Sequence, residues 1–176
     1  MGKYNRLAFF RHLTYCLLLI LLHTLDTTPR LFELFGGKPT LVLPAALAIA
    51  MCEGEFVGGL YGAFAGLLMD SSAFSLFGFN AFFLLAACVG AGLLVSNLVR
   101  NTAATNIFFS LVVTLLLTNL RFLFVFGIYR YDGVWPVYLR QVLLTSLYTA
   151  FSAAPVFLLT RGIFRRFQRA KARLNQ

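Results

Sequence analysis

Asp70, Asn80, Asn119 and Arg121 are ionisable or strongly hydrogen-bonding residues inside or beside long apolar runs. Such groups are costly in apolar surroundings and are normally paired or satisfied. If a helix begins at Glu55, Asp70 falls roughly 22 Å along it, at about 1.5 Å per residue. Arg121 lies a similar way along a later run. Two arrangements follow. In one, Asp70 contacts Arg121, with Asn80 and Asn119 as neutral neighbours. In the other, Asp70 caps the following segment and Arg121 extends to a polar boundary. Glu53 and Glu55 are the closest approach to a carboxylate pair, but a two-residue spacing points them to different sides of a helix. An acidic helix start is their simpler role. No nucleophile–base arrangement, Walker loop, H-E-x-x-H or dinucleotide fingerprint occurs, so no catalytic residue is expected. His12 and His23 lack acidic or cysteine neighbours at ligand spacing. Cys16, Cys52 and Cys88 sit apart in or at the edge of apolar segments. They read as small apolar residues, with no metal, disulfide frame or cofactor expected.

The stretch 55–70 also holds Gly58, Gly62 and Gly66 at four-residue spacing, with Asp70 continuing the series. Four residues advance a helix by about 400°, so the stripe drifts by only about 40° per step. Glycines so placed let another helix backbone approach closely, which drives helix association in lipid. The stripe suits packing within the chain or acceptance of a partner's helix. A second small-residue face, Ala86 and Gly90 with Ala87 and Ala91, is a candidate surface to meet it.

The elements that position these residues follow from composition. Hydrophobic residues make up 60% of the 176-residue chain and charged residues 12%, against roughly 45–50% and about 25% in soluble domains. A chain this short cannot enclose so much apolar surface in one core, so lipid must cover the remainder. Six runs are candidate spans: 7–25, 39–51, 55–69, 79–99, 104–128 and 137–164. The expected fold is all-α, a polytopic membrane protein of about six transmembrane helices in one compact bundle, with 1–176 a single domain. The second run is short, and carries Pro39 and Pro44 where a first turn tolerates proline. Residues 31–35 in the connector before it suit a membrane interface. Residues 1–11 read as a signal peptide's charged start, but no small-x-small cleavage site follows. The first run is therefore expected to be a retained helix.

The formal net charge is +9. Lys3, Arg6 and Arg11 lie in the short basic N-terminus of about 1–11, and Arg161, Arg165, Arg166, Arg169, Lys171 and Arg173 crowd the last sixteen positions, which include the basic tail of about 165–176. Basic ends around apolar spans follow the positive-inside bias and suit anionic lipid headgroups. No basic groove interleaved with aromatics is visible, so nucleic acid is not expected. With Arg100 they outweigh Arg30, Lys38, Arg130 and Arg140 on the other side. Both termini are expected in the cytoplasm.

The segment Gly62-Ala-Phe-Ala-Gly66-Leu-Leu-Met-Asp70, followed by Leu76-Phe-Gly78-Phe-Asn80-Ala81, resembles the central signature of the rod shape-determining membrane protein family MreD. Chain length, short helices, the proline-bearing second run and the basic tail agree with that family over nearly the whole chain. One departure is Lys38-Pro39-Thr40, where the family often has Pro-Asp. The resemblance implies a non-enzymatic, multi-pass scaffold of the bacterial inner (cytoplasmic) membrane, within the cell-elongation complex. Its implied partners are MreC most directly, then the MreB filament, a SEDS glycosyltransferase and a penicillin-binding transpeptidase. The family is also thought to resemble the S components of energy-coupling-factor transporters. That implies an alternative, a vitamin-type small-molecule site near Asp70, Asn80, Arg121 and Trp135. S components often carry an Ala-x-x-x-Ala patch on their first helix, which residues 13–25 lack.

Overall fold

The computed structural model describes residues 2–28, 40–72, 78–128 and 135–174, and among these there are six helices and no strand. They are α1 (Gly2–Thr27), α2 (Val42–Glu53), α3 (Glu55–Ser72), α4 (Phe79–Asn97), α5 (Ala103–Ile128) and α6 (Trp135–Leu174). Segments Arg6–Thr27, Phe79–Asn97, Ala103–Leu120 and Val142–Ala172 are long and apolar enough to cross a membrane. The connector with residues 31–35 and Pro39, and the loop with Arg130, lie outside the described residues.

The shortest helix occupies the centre. Every residue from Val42 to Met51 in α2 is buried, and α2 packs against each of the other five helices. A helix apolar on all sides is stable only when surrounded. Twelve residues reach about 18 Å, well short of the ~30 Å hydrocarbon core. That length suffices because α2 is enclosed by protein and its ends meet polar side chains. Pro44 stands in the first turn, where no intrahelical partner for its nitrogen is lost. Leu19, Tyr15, Ala65, Leu84, Cys88 and Val156 complete the core around it.

The outer surface is apolar. Large hydrophobic side chains such as Phe9, Leu17, Phe56, Phe82, Phe108 and Phe151 are exposed on every helix except α2. An exposed apolar belt of this extent is what contact with lipid requires.

The basic ends continue the outer helices. α1 is helical from Gly2, and α6 runs 40 residues through the basic tail to Leu174. At about 1.5 Å per residue α6 is roughly 60 Å long, about twice the hydrocarbon thickness. Arginine, lysine, alanine and leucine are strong helix formers, so the tail has no local reason to leave the helix. Pro155 lies inside α6, where it removes one N–H from the ladder.

Candidate functional site

The motif residues assemble one structure, the α3–α4 hairpin. Asp70, at the end of α3, is 3% exposed. Its carboxylate accepts hydrogen bonds from the backbone N–H of Gly78 (3.0 Å), Asn80 (3.3 Å) and Ala81 (3.3 Å), and from Asn80 Nδ2 (2.7 Å). These donors open α4, whose own N-cap residue, Gly78, provides no capping side chain. Gly78 takes φ 93°, a left-handed conformation that glycine adopts without a Cβ clash. The carboxylate meets orphan amides and the positive end of the α4 dipole together. Asp70 thus caps α4, as one of the two sequence arrangements has it, and Asn80 is its neutral neighbour, as the other has it. The Arg121 side chain lies outside what the structure describes. Asn119 Nδ2 donates to the Leu115 carbonyl at 2.7 Å.

The glycine stripe is internal. A Cβ on Gly58 would lie 2.4 Å from Ala50 Cβ of α2; on Gly62, 2.6 Å from the Leu84 carbonyl oxygen; on Gly66, 2.3 Å from Ala81 Cα. The stripe therefore turns from α2 at Gly58 to α4 at Gly62 and Gly66, as a drift of about 40° per step requires. The α4 face expected from sequence divides: Ala91 is buried in the core, but Ala86 and Gly90 do not meet the stripe. Ala81, Leu84 and Cys88 receive the stripe, whereas Ala86 is exposed and a Cβ on Gly90 would meet nothing within 4 Å. Ala86 and Gly90 sit two residues around the helix from Leu84 and Cys88, roughly 200° away. They form an open, shallow strip among Phe82, Leu85, Leu93 and Leu94, all exposed.

A second aspartate does the same work at the start of α2. Asp26, near the end of α1, accepts from the Leu41 N–H at 3.0 and 2.9 Å and from the Val42 N–H at 3.1 Å. Leu41 likewise provides no cap of its own. Both clamps lie at the same end of the bundle. The other end of α2 is held by Asn101, whose Nδ2 donates to the Met51 carbonyl at 2.7 Å, and by the turn at Gly54 (φ 92°). Gly92 of α4 packs on that turn, its notional Cβ 2.7 Å from Glu55 Cα.

Glu53 and Glu55 fall on different helices: Glu53 ends α2 and Glu55 begins α3. A carboxylate at a helix C-terminus opposes the dipole, and the fold compensates it. Arg11 Nη2 lies 3.2 Å from Glu53 Oε2, and Tyr15 Oη donates to Glu53 Oε1 at 2.9 Å. Beside them the Tyr61 hydroxyl donates to the His12 carbonyl at 3.2 Å and lies 2.9 Å from His12 Nδ1. Asn106, Ser110 and Thr114 form a further buried row at four-residue spacing on α5, with Asn106 Nδ2 donating to the Ala153 carbonyl at 3.4 Å. Sequence reading passed over Asp26, the Arg11–Glu53–Tyr15 group and this row. Only the row had a visible signal, its N-x-x-x-S-x-x-x-T spacing. Among the described residues no group of three or more His, Cys, Asp or Glu is placed to hold a metal.

No protein-family model matches the chain, and no curated protein or solved structure matches it either.

Proposed function

We propose that this chain is a non-enzymatic membrane scaffold of the MreD kind, a multi-pass bundle of about six helices in the bacterial cytoplasmic membrane with both termini in the cytoplasm. The observation that carries this reading is the use to which the signature residues are put. Gly62, Gly66, Asp70, Gly78, Asn80 and Ala81, on which the resemblance rests, lie along one helix–helix seam and its cap. They build a stiff hairpin, as a scaffold needs, and they hold no reactive group poised for chemistry. The ends of α1 and α6 line one cleft, in keeping with termini on a common side.

In this reading the partner is a single-span protein of the MreC kind, through which MreB filaments inside are coupled to the glycosyltransferase and transpeptidase outside. Its helix lies on the open strip of α4 at Ala86 and Gly90, because the glycine stripe of α3 is already filled by α2 and α4. Small residues permit the close backbone approach that substitutes for hydrophobic driving force in lipid. The alternative, an S-component-like vitamin carrier, draws on Asp70, Asn80, Arg121 and Trp135. It is the less favoured because the Asp70 carboxylate is already occupied by Asn80 Nδ2 and the α4 amides, although Asn80 Oδ1 is buried without a partner.

Purification from cells in mild detergent separates the two. Retention of an MreC-like single-span protein, lost on Gly90→Leu but not on Leu123→Ala, is the expected result. A stoichiometric vitamin-type ligand by mass spectrometry, with no such partner, would overturn it.

A further inference from the structure

The buried row on α5 faces α6. Asn106 Nδ2 donates to the Ala153 carbonyl, and Ser110 and Thr114 follow at four-residue steps, each a drift of about 40°. Asn106 and Ser110 are fully buried and Thr114 is 4% exposed. α6 follows α5 in the chain and packs back along it. Thr149 and Ser146, both buried, therefore stand at about the levels of Ser110 and Thr114. Asn106 Oδ1, Ser110 Oγ and Thr114 Oγ1 have no hydrogen-bond partner. On α6 the buried hydroxyls of Ser146, Thr149 and Thr160 donate back to the carbonyls of Val142, Thr145 and Val156. Ser110 and Thr114 have the same option at the carbonyls of Asn106 and Ser110, and do not take it. Buried polar atoms are costly unless satisfied.

We propose that two ordered water molecules bind in this seam, one between Asn106 and Ser110 and one between Ser110 and Thr114, and join α5 to α6 through the Thr149 and Ser146 oxygens. The spacing selects the ligand. Four residues advance a helix by about 6 Å, and a water with hydrogen bonds of ~2.8 Å on either side spans about that distance. A cation needs its oxygens at about 2.3–2.6 Å, so groups a full turn apart cannot share one. The donors and acceptors also match. The first water donates to Asn106 Oδ1 and accepts from the Ser110 hydroxyl; the second donates to Ser110 Oγ and accepts from the Thr114 hydroxyl. The remaining hydrogen of each goes to a lone pair on Thr149 or Ser146, giving about three bonds per water, as buried waters typically make. Ala153, Thr149 and Ser146 are small residues, where large ones would close the seam. Water thus serves α5 and α6 as direct backbone packing serves α3 and α4, and the site is independent of the scaffold role.

X-ray hydroxyl-radical labelling of the full chain in detergent, read by mass spectrometry, tests this, because a bound water becomes a radical where it sits and oxidises side chains that bulk solvent does not reach. Leu117, buried one turn beyond Thr114, should be oxidised about tenfold faster than Leu84, which is equally hidden in the α3–α4 seam. Ser110→Ala combined with Thr114→Val should remove that excess. Equal rates for the two leucines, or an excess that survives the double variant, overturn the proposal. Reversible unfolding supplies the second readout. Thr114→Val should raise the unfolding constant about threefold, the scale of one polar contact in lipid, and Ser110→Ala, which touches both waters, about eightfold. The double variant should fall short of the product of the two, since one water serves both positions. A neutral or stabilising Ser110→Ala would mean a dry row, and a double variant equal to the product would mean hydroxyls satisfied separately on their own helix; either overturns the proposal.

Discussion

Gly66→Ala tests the α3–α4 seam at its tightest point. The added Cβ would stand 2.3 Å from Ala81 Cα, 2.5 Å from its nitrogen and 2.6 Å from Asn80 C, all backbone atoms that no rotamer change can move aside. Ordinary contact begins at 3.4 Å, so the helices must part by about 1.1 Å (3.4 less 2.3). Asp70 lies one turn beyond Gly66 on the same helix. A shift of that size takes its hydrogen bonds, now 2.7–3.3 Å, past the ~3.5 Å at which they cease to count. Overpacking costs about 1–3 kcal/mol, and four polar contacts at the ~0.6 kcal/mol average measured in lipid add about 2. The expected loss is therefore about 3–5 kcal/mol. Reversible unfolding by dodecyl sulfate in bicelles measures it, with Cys88, fully buried, as a thiol reporter. Gly90→Ala is the internal control, since its Cβ meets nothing within 4 Å and should change stability by no more than about 0.5 kcal/mol. Equal shifts for the two alanines would refute the seam.

Asp26→Ala should cost about 1–2 kcal/mol in the same unfolding assay, the value of a helix cap, and Asp26→Asn less, because its amide oxygen still accepts from Leu41 or Val42. Glu53→Gln leaves Arg11 without its ion pair and should destabilise by about 3 kcal/mol or more, whereas adding Arg11→Gln recovers part of that loss. A double-mutant cycle with no coupling between the two positions would remove the ion pair from the account. In the folded protein Cys88 should resist a membrane-permeant maleimide while Cys16 and Cys52, both partly exposed, react; labelling of Cys88 at the same rate would contradict its place under Gly62.

Much of this architecture was legible because lipid imposes strong rules on composition. The six apolar runs correspond to the six helices, and the glycine spacing announced a seam. Which neighbour fills that seam was not legible, because Ala86 and Gly90 look as suitable as Ala81 and Cys88 until α4 acquires a rotation. Asp70 allowed two arrangements from sequence, since a carboxylate at a helix end serves equally as an ion-pair partner or as a cap for the next helix. Asp26 passed unnoticed because the amides it caps, those of Leu41 and Val42, are 15 and 16 residues away. Local capping patterns look only three residues ahead. The central place of α2 was likewise hidden. Its shortness reads as a weak span, whereas a helix sheltered by five others has no need of full length.

The central claim is that the open strip of α4, not the glycine stripe of α3, meets the partner. A photo-crosslinking phenylalanine derivative introduced at Gly90, in cells that make the full chain, measures this directly. The account predicts an adduct with an MreC-like single-span protein from Gly90, and none from Leu123 on the exposed face of α5. An adduct from Leu123 but not from Gly90, or none from either position while the chain purifies with a bound small molecule, would contradict it.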